Sequence, residues 1–139
     1  MHLHALVVNG SESSRATFVR FLKESKLADF TFTEARNARD GIVRLDPLGT
    51  NVVFLEWEGP QGMNLEFVRK VRAKQRRHIP VVVVTTDAEL VRLEQSADDG
   101  GVDYYLLRPF TLVSIRQKLA PFITRLTAQN KAATARSNF

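Results

Sequence analysis

Four short runs along the chain are apolar without interruption: Ala5 to Val8, Val52 to Leu55, Val81 to Val84 and Tyr104 to Leu107. Each is strand-sized and rich in β-branched or aromatic residues. An unbroken run of this kind fits a strand covered on both faces of a parallel sheet. A fifth stretch, Phe30 to Thr33, alternates phenylalanine with threonine and reads as an edge strand. Between the runs the apolar spacing changes to three and four, which predicts five helices. They are marked by Phe18, Val19 and Leu22, by Ile42 and Leu45, by Leu65, Val68 and Val71, by Leu90, Leu93 and Ala97, and by Leu112, Ile115, Leu119, Phe122 and Leu126.

Punctuation agrees with this division. Ser11 can start the first helix, Thr86 with Glu89 fits a capping box before the fourth, and Gly100 with Gly101 can end it. Pro121 should end or kink the last helix, since it lacks a backbone donor and crowds the preceding turn. Strand and helix alternating five times imply a flavodoxin-like (βα)5 three-layer α/β sandwich around a five-stranded parallel sheet. In such folds chemistry gathers beyond the carboxyl ends of the strands. The positions there are Asn9 and Gly10, Glu56 to Pro60, Thr85 and Thr86, and Arg108 to Phe110. The periodic pattern closes near residue 126. Residues 127–139 are small, polar and basic, and read as a flexible tail.

Composition narrows the function. A chain of 139 residues, 44% hydrophobic, can close one core and is too short for two ordinary domains. Cysteine is absent, which excludes disulfides and thiolate chemistry. No apolar stretch nears the roughly 20 residues that span a bilayer, and no secretory pattern is visible. A soluble, cytoplasmic protein without a membrane partner is expected. The net charge of +5 raises the question of an anionic partner, since Arg69, Lys70, Arg72, Lys74, Arg76 and Arg77 lie close together. Cations at that place suit a solvated helix C-terminus. With no recognition helix or stacking motif, a nucleic-acid-associated adaptor is a secondary reading. His2 and His4 lack a third ligand nearby and read as surface histidines. Gly59 to Gly62 reads as a turn.

The strand ends themselves carry a family resemblance. Val7-Val8-Asn9-Gly10, Leu55-Glu56-Trp57-Glu58-Gly59-Pro60, Val84-Thr85-Thr86 and Leu107-Arg108-Pro109-Phe110 together resemble a response-regulator receiver of the single-domain chemotaxis type, over about residues 3 to 123. The resemblance implies phosphoryl transfer to an aspartate at the end of the third strand, assisted by magnesium and an acidic pair after the first strand. This sequence departs from that pattern. Glu56 stands at the acceptor position, Asn9 and Gly10 at the acidic pair, and Arg108 at the phosphate-contacting lysine. Thr85 and Tyr105 keep the types of the two switch positions, and Pro109 follows the basic residue as in the family. Asn64 stands where the family often has a glycine, so a positive φ is expected there.

These departures predict no catalytic turnover and weak or absent magnesium binding, because magnesium prefers a compact set of oxygen ligands with carboxylates. The resemblance leads to a phosphorylation-independent interaction module in signalling. In it Glu56, clamped by Arg108 and the Thr85 hydroxyl, imitates part of a phosphorylated network. Contact with signalling proteins, or with a second copy of the chain, is expected on the face of the fourth helix, fifth strand and fifth helix. The rival reading is a phosphoryl-accepting receiver that uses an unusual group such as Glu58.

Overall fold

The computed structural model describes residues 1–57, 61–90 and 101–137. Its elements run β1 (His2–Val8), α1 (Glu12–Ser25), β2 (Asp29–Ala35), α2 (Ala38–Arg44), β3 (Val52–Glu56), α3 (Gln61–Lys74), β4 (Val81–Thr86), the helical residues 87–90 (α4), β5 (Tyr104–Arg108) and α5 (Leu112–Ser137). The five strands form one parallel sheet in the order β2-β1-β3-β4-β5. The flavodoxin-like expectation therefore holds, and β2 is the edge strand it was read to be.

Alternation along the strands divides the core in two. Ala5, Val7, Val52, Phe54, Val82, Val84 and Leu106 pack against Phe18, Val19 and Leu22 of α1 and Ile115, Leu119 and Phe122 of α5. Leu6, Val8, Val53, Leu55, Val81 and Val83 pack on the other face against Phe67, Val68 and Val71 of α3 and Leu45 after α2. Both faces are dry, which is why the strand sequences show no polar alternation.

Helix starts are set locally. The Ser11 hydroxyl accepts from Ser14 N at 3.3 Å, and Thr86 Oγ1 accepts from Glu89 N at 3.4 Å. Asn37, a cap that the sequence reading passed over, accepts from Asp40 N at 2.8 Å. Thr111 and Ser114 satisfy each other at the start of α5: Ser114 N donates to Thr111 Oγ1 at 3.1 Å and Thr111 N donates to Ser114 Oγ at 2.7 Å.

Three expectations need correction. Pro121 does not end α5, because the helix continues to Ser137. Its flanking Leu119, Phe122, Ile123 and Leu126 are all buried, so packing on the sheet outweighs the lost donor. The segment 127–137, expected as a flexible tail, continues α5 as helix, although Leu126 is the last buried residue before it. Asn64 lies inside α3 and is buried; among the described residues that are not glycine, only Lys26, the C-cap of α1, has positive φ. Gly59, Pro60, Leu93, Ala97 and Gly100 lie outside the described residues.

Gly41 marks a close approach of α2 to the core. A Cβ there would meet Phe67 Cε2 at 2.9 Å and Val8 Cγ2 at 3.0 Å, and both side chains are held in the packed interior. Gly41→Ala is therefore expected to destabilise by about 1–3 kcal/mol through overpacking, despite a gain of about 1 kcal/mol in helix propensity. Urea unfolding of the two proteins measures the difference. A more stable variant would show that α2 can move away from the sheet.

Candidate functional site

The carboxyl ends of β1, β3, β4 and β5 bring the predicted residues together, and strand parity decides which can meet. Glu56 continues the face of Phe54, and Arg108 continues that of Leu106, so both point toward the α1 and α5 layer. Arg108 Nη1 lies 2.5 Å from Glu56 Oε1, with the two side chains 29% and 8% exposed. The approach is that of an ion pair rather than of an aligned N–H···O hydrogen bond. The Arg108–Pro109 peptide is cis.

Thr85 falls on the opposite parity, with Val81 and Val83. It is fully buried, and its hydroxyl has no hydrogen-bond partner among the described residues. The expected third bond from Thr85 to Glu56 is thus not made. Thr86, one residue later, shares the Arg108 face and is its partner in the β4–β5 register. Tyr105 packs half-buried against the α3-side core, across the sheet from the Glu56 and Arg108 pair.

At the end of β1, Asn9 is buried and its groups are engaged. Its Oδ1 accepts from Ser11 N at 2.8 Å, its Nδ2 donates to Ser14 Oγ at 3.2 Å, and its carbonyl accepts from Arg15 Nη1 at 2.7 Å. Arg15 Nε also pairs with Glu34 at 3.0 Å. Arg15 was missed from the sequence, although a signal was there: it lies on the same helical stripe as Phe18, Val19 and Leu22, a place where a cation needs a buried partner. Gly10 is exposed, and a Cβ added to it would find only the Arg36 carbonyl at 3.5 Å.

Among the described residues, the donors at this end of the sheet are mostly engaged within the fold. The one carboxylate described at the site is paired with an arginine, the neutral amide of Asn9 is spent on α1, and the neighbouring carbonyl is held by a second arginine. The space among Asn9, Phe18, Phe54, Val84 and Glu56 is about 10 Å³, room for at most one water. No group of three histidine, aspartate or glutamate side chains that could hold a metal exists among the described residues. Glu58 lies outside them.

Away from this end the basic cluster is largely engaged within the fold. Arg72 donates to the carbonyls of Ile79 and Gly101 and pairs with Asp103 at 2.7 Å. Asp103 also accepts from Val81 N and contacts His78 Nε2 at 2.6 Å. Lys74 caps the Ile42 carbonyl at 2.7 Å, and Lys70 pairs with Glu66 at 3.0 Å. His4 sits between the Thr31 and Thr33 hydroxyls, each at 2.7 Å. No described helix is long and apolar enough to cross a membrane.

Known proteins place this arrangement. No family model matches the chain. The chemotaxis protein CheY of Pseudomonas aeruginosa is 32% identical over 115 residues, covering 80% of this chain and 91% of its own length. CheY1 of Helicobacter pylori is 32% identical over 119 residues, with 82% and 91% covered. Among solved structures, the response regulator receiver domain from Clostridium thermocellum superposes with a TM-score of 0.74 over 94% of this chain and 98% of that one. At 17% identity that likeness speaks for the fold alone. Sheet order, the basic-Pro-Phe step after β5 and these relatives agree, and the chain belongs to the CheY-like response-regulator receivers of two-component signalling.

Proposed function

We propose that this receiver works without phosphorylation, as a cytoplasmic protein-interaction module with no turnover of its own and no required metal. The observation that carries the reading is the pairing of Glu56 with Arg108 at the acceptor end of β3. Glutamate is one methylene longer than aspartate and here already holds its cation, so an incoming phosphoryl group would meet neither a placed nucleophile nor a neutralising ion. The pair fixes the ends of β3 and β5 relative to each other. It thereby favours one arrangement of the surface built from α4, β5 and α5, which we assign as the contact face for a signalling protein or a second copy.

Thr85 and Tyr105 are retained in type but lie on the other side of the sheet from the pair, so the imitation of a phosphorylated network is limited to Glu56 and Arg108. A second reading, binding of nucleic acid by the basic cluster, has less support because Arg72 and Lys74 already hold partners within the fold.

The test follows Trp57, fully buried next to Glu56, while magnesium and then magnesium with beryllofluoride are added. No saturable fluorescence change at millimolar magnesium is expected, and acetyl phosphate should leave the intact mass unchanged. A saturable response that disappears in Glu56→Ala would return the protein to conventional phosphoryl signalling.

A further inference from the structure

A groove opens beside the Glu56 and Arg108 pair, between the first half of α1 and the loop joining β5 to α5. Its volume is about 590 Å³, within the range of small-molecule sites, roughly 300–1,000 Å³. Phe18, Phe21 and Phe110 make an aromatic wall, with ring centroids 5.8 Å apart for Phe18 and Phe110 and 6.4 Å for Phe21 and Phe110. The polar lining is Ser13, Ser14 and Thr17 of α1, with Thr86 and Arg108 at the strand ends. The lining contains one cation and no carboxylate, but Arg108 is paired with Glu56 behind it, so an acid group entering the groove competes with Glu56 for that arginine.

An aromatic wall in the same groove as a single arginine suits a flat apolar body bearing one acid group. We propose that the groove binds a small aromatic carboxylate, whose acid group engages Arg108 in competition with Glu56 while its ring covers Phe21 and Phe110. This inference rests on the phosphorylation-independent reading and supplies what regulates the site. The ligand draws Arg108 away from the end of β3, so the link between β3 and β5 that Glu56 maintains is loosened by binding instead of by phosphoryl transfer. By linkage, the stronger the internal pair, the weaker the ligand.

The experiment titrates phenylacetate, and 2-phenylethanol as its neutral counterpart, into the whole chain. Backbone amide NMR shifts of Thr17, Thr86 and Phe110 and the fluorescence of Trp57 are followed. Phenylacetate should bind saturably and the alcohol at least about tenfold more weakly, a difference of about 1.4 kcal/mol. Glu56→Gln should tighten phenylacetate binding several-fold by removing the competitor. Thr17→Trp, on the exposed side of α1, should fill the groove and abolish binding without touching the pair. Equal binding of the two compounds, no saturation, or binding unchanged in Thr17→Trp would overturn the proposal. A silent phenylacetate titration in a protein that also ignores magnesium would remove the ligand alone, whereas a magnesium response would remove the reading beneath it.

Discussion

Arg108→Met is expected to lower the free energy of unfolding by about 2–3 kcal/mol, at or below the roughly 3–5 kcal/mol for breaking a fully buried ion pair, because the arginine is partly exposed. The loss comes from leaving the Glu56 carboxylate, 8% exposed, in an apolar setting beside Phe54 and Val84. Removing both charges should undo most of it. Glu56→Leu with Arg108→Met replaces the pair by apolar groups of similar bulk, and such exchanges range from neutral to stabilising. A double-mutant cycle by denaturant unfolding therefore reads a coupling of about 2 kcal/mol. Additive effects of the two single variants would mean that the pair has no energetic substance, and the fixed-site reading would go with it.

The second large effect is a gain. Asn9→Asp, Gly10→Asp, Glu56→Asp and Arg108→Lys together should turn a site indifferent to magnesium into one that binds it at millimolar concentration, read as a saturable change in Trp57 fluorescence. Gly10 decides whether this is feasible. Its Cβ position is open apart from the Arg36 carbonyl at 3.5 Å, so a side chain can begin there without displacing the backbone. Three carboxylates would then face one another, and a divalent cation relieves their repulsion. If the fourfold variant folds and still ignores magnesium, the barrier lies in Arg15 and its hold on the Asn9 carbonyl rather than in the replaced side chains.

Legibility differed between the two parts of the site. That Glu56, Asn9, Gly10 and Arg108 share one end of the sheet followed from their places at the ends of apolar runs, because parallel strands all deliver their carboxyl ends to the same edge. That Glu56 meets Arg108 and not Thr85 depends on the two-residue period of β4. Thr85 follows Val81 and Val83 to one face, while Thr86 follows Val82 and Val84 to the other. That parity is legible in the apolar run itself and separates Thr85 from the pair. Arg15 was a cation on an apolar stripe, and its meaning came only from the Asn9 carbonyl and Glu34 beside it.

The helix α5 shows the opposite failure. Composition and Pro121 argued for an early end, yet buried side chains on both sides of the proline carry the helix through it.

By itself the sequence determined the layers, the strand count, the core and the loss of the acidic pair, since these depend on local period and on side chains that are present or missing. Which charges pair, which cations of the Arg69 to Arg77 cluster are engaged, and that a groove opens next to Arg108 were decided by tertiary structure. They depend on distances between residues far apart in the chain, as with Glu56 and Arg108 or Arg72 and Asp103, and no local pattern encodes such a distance.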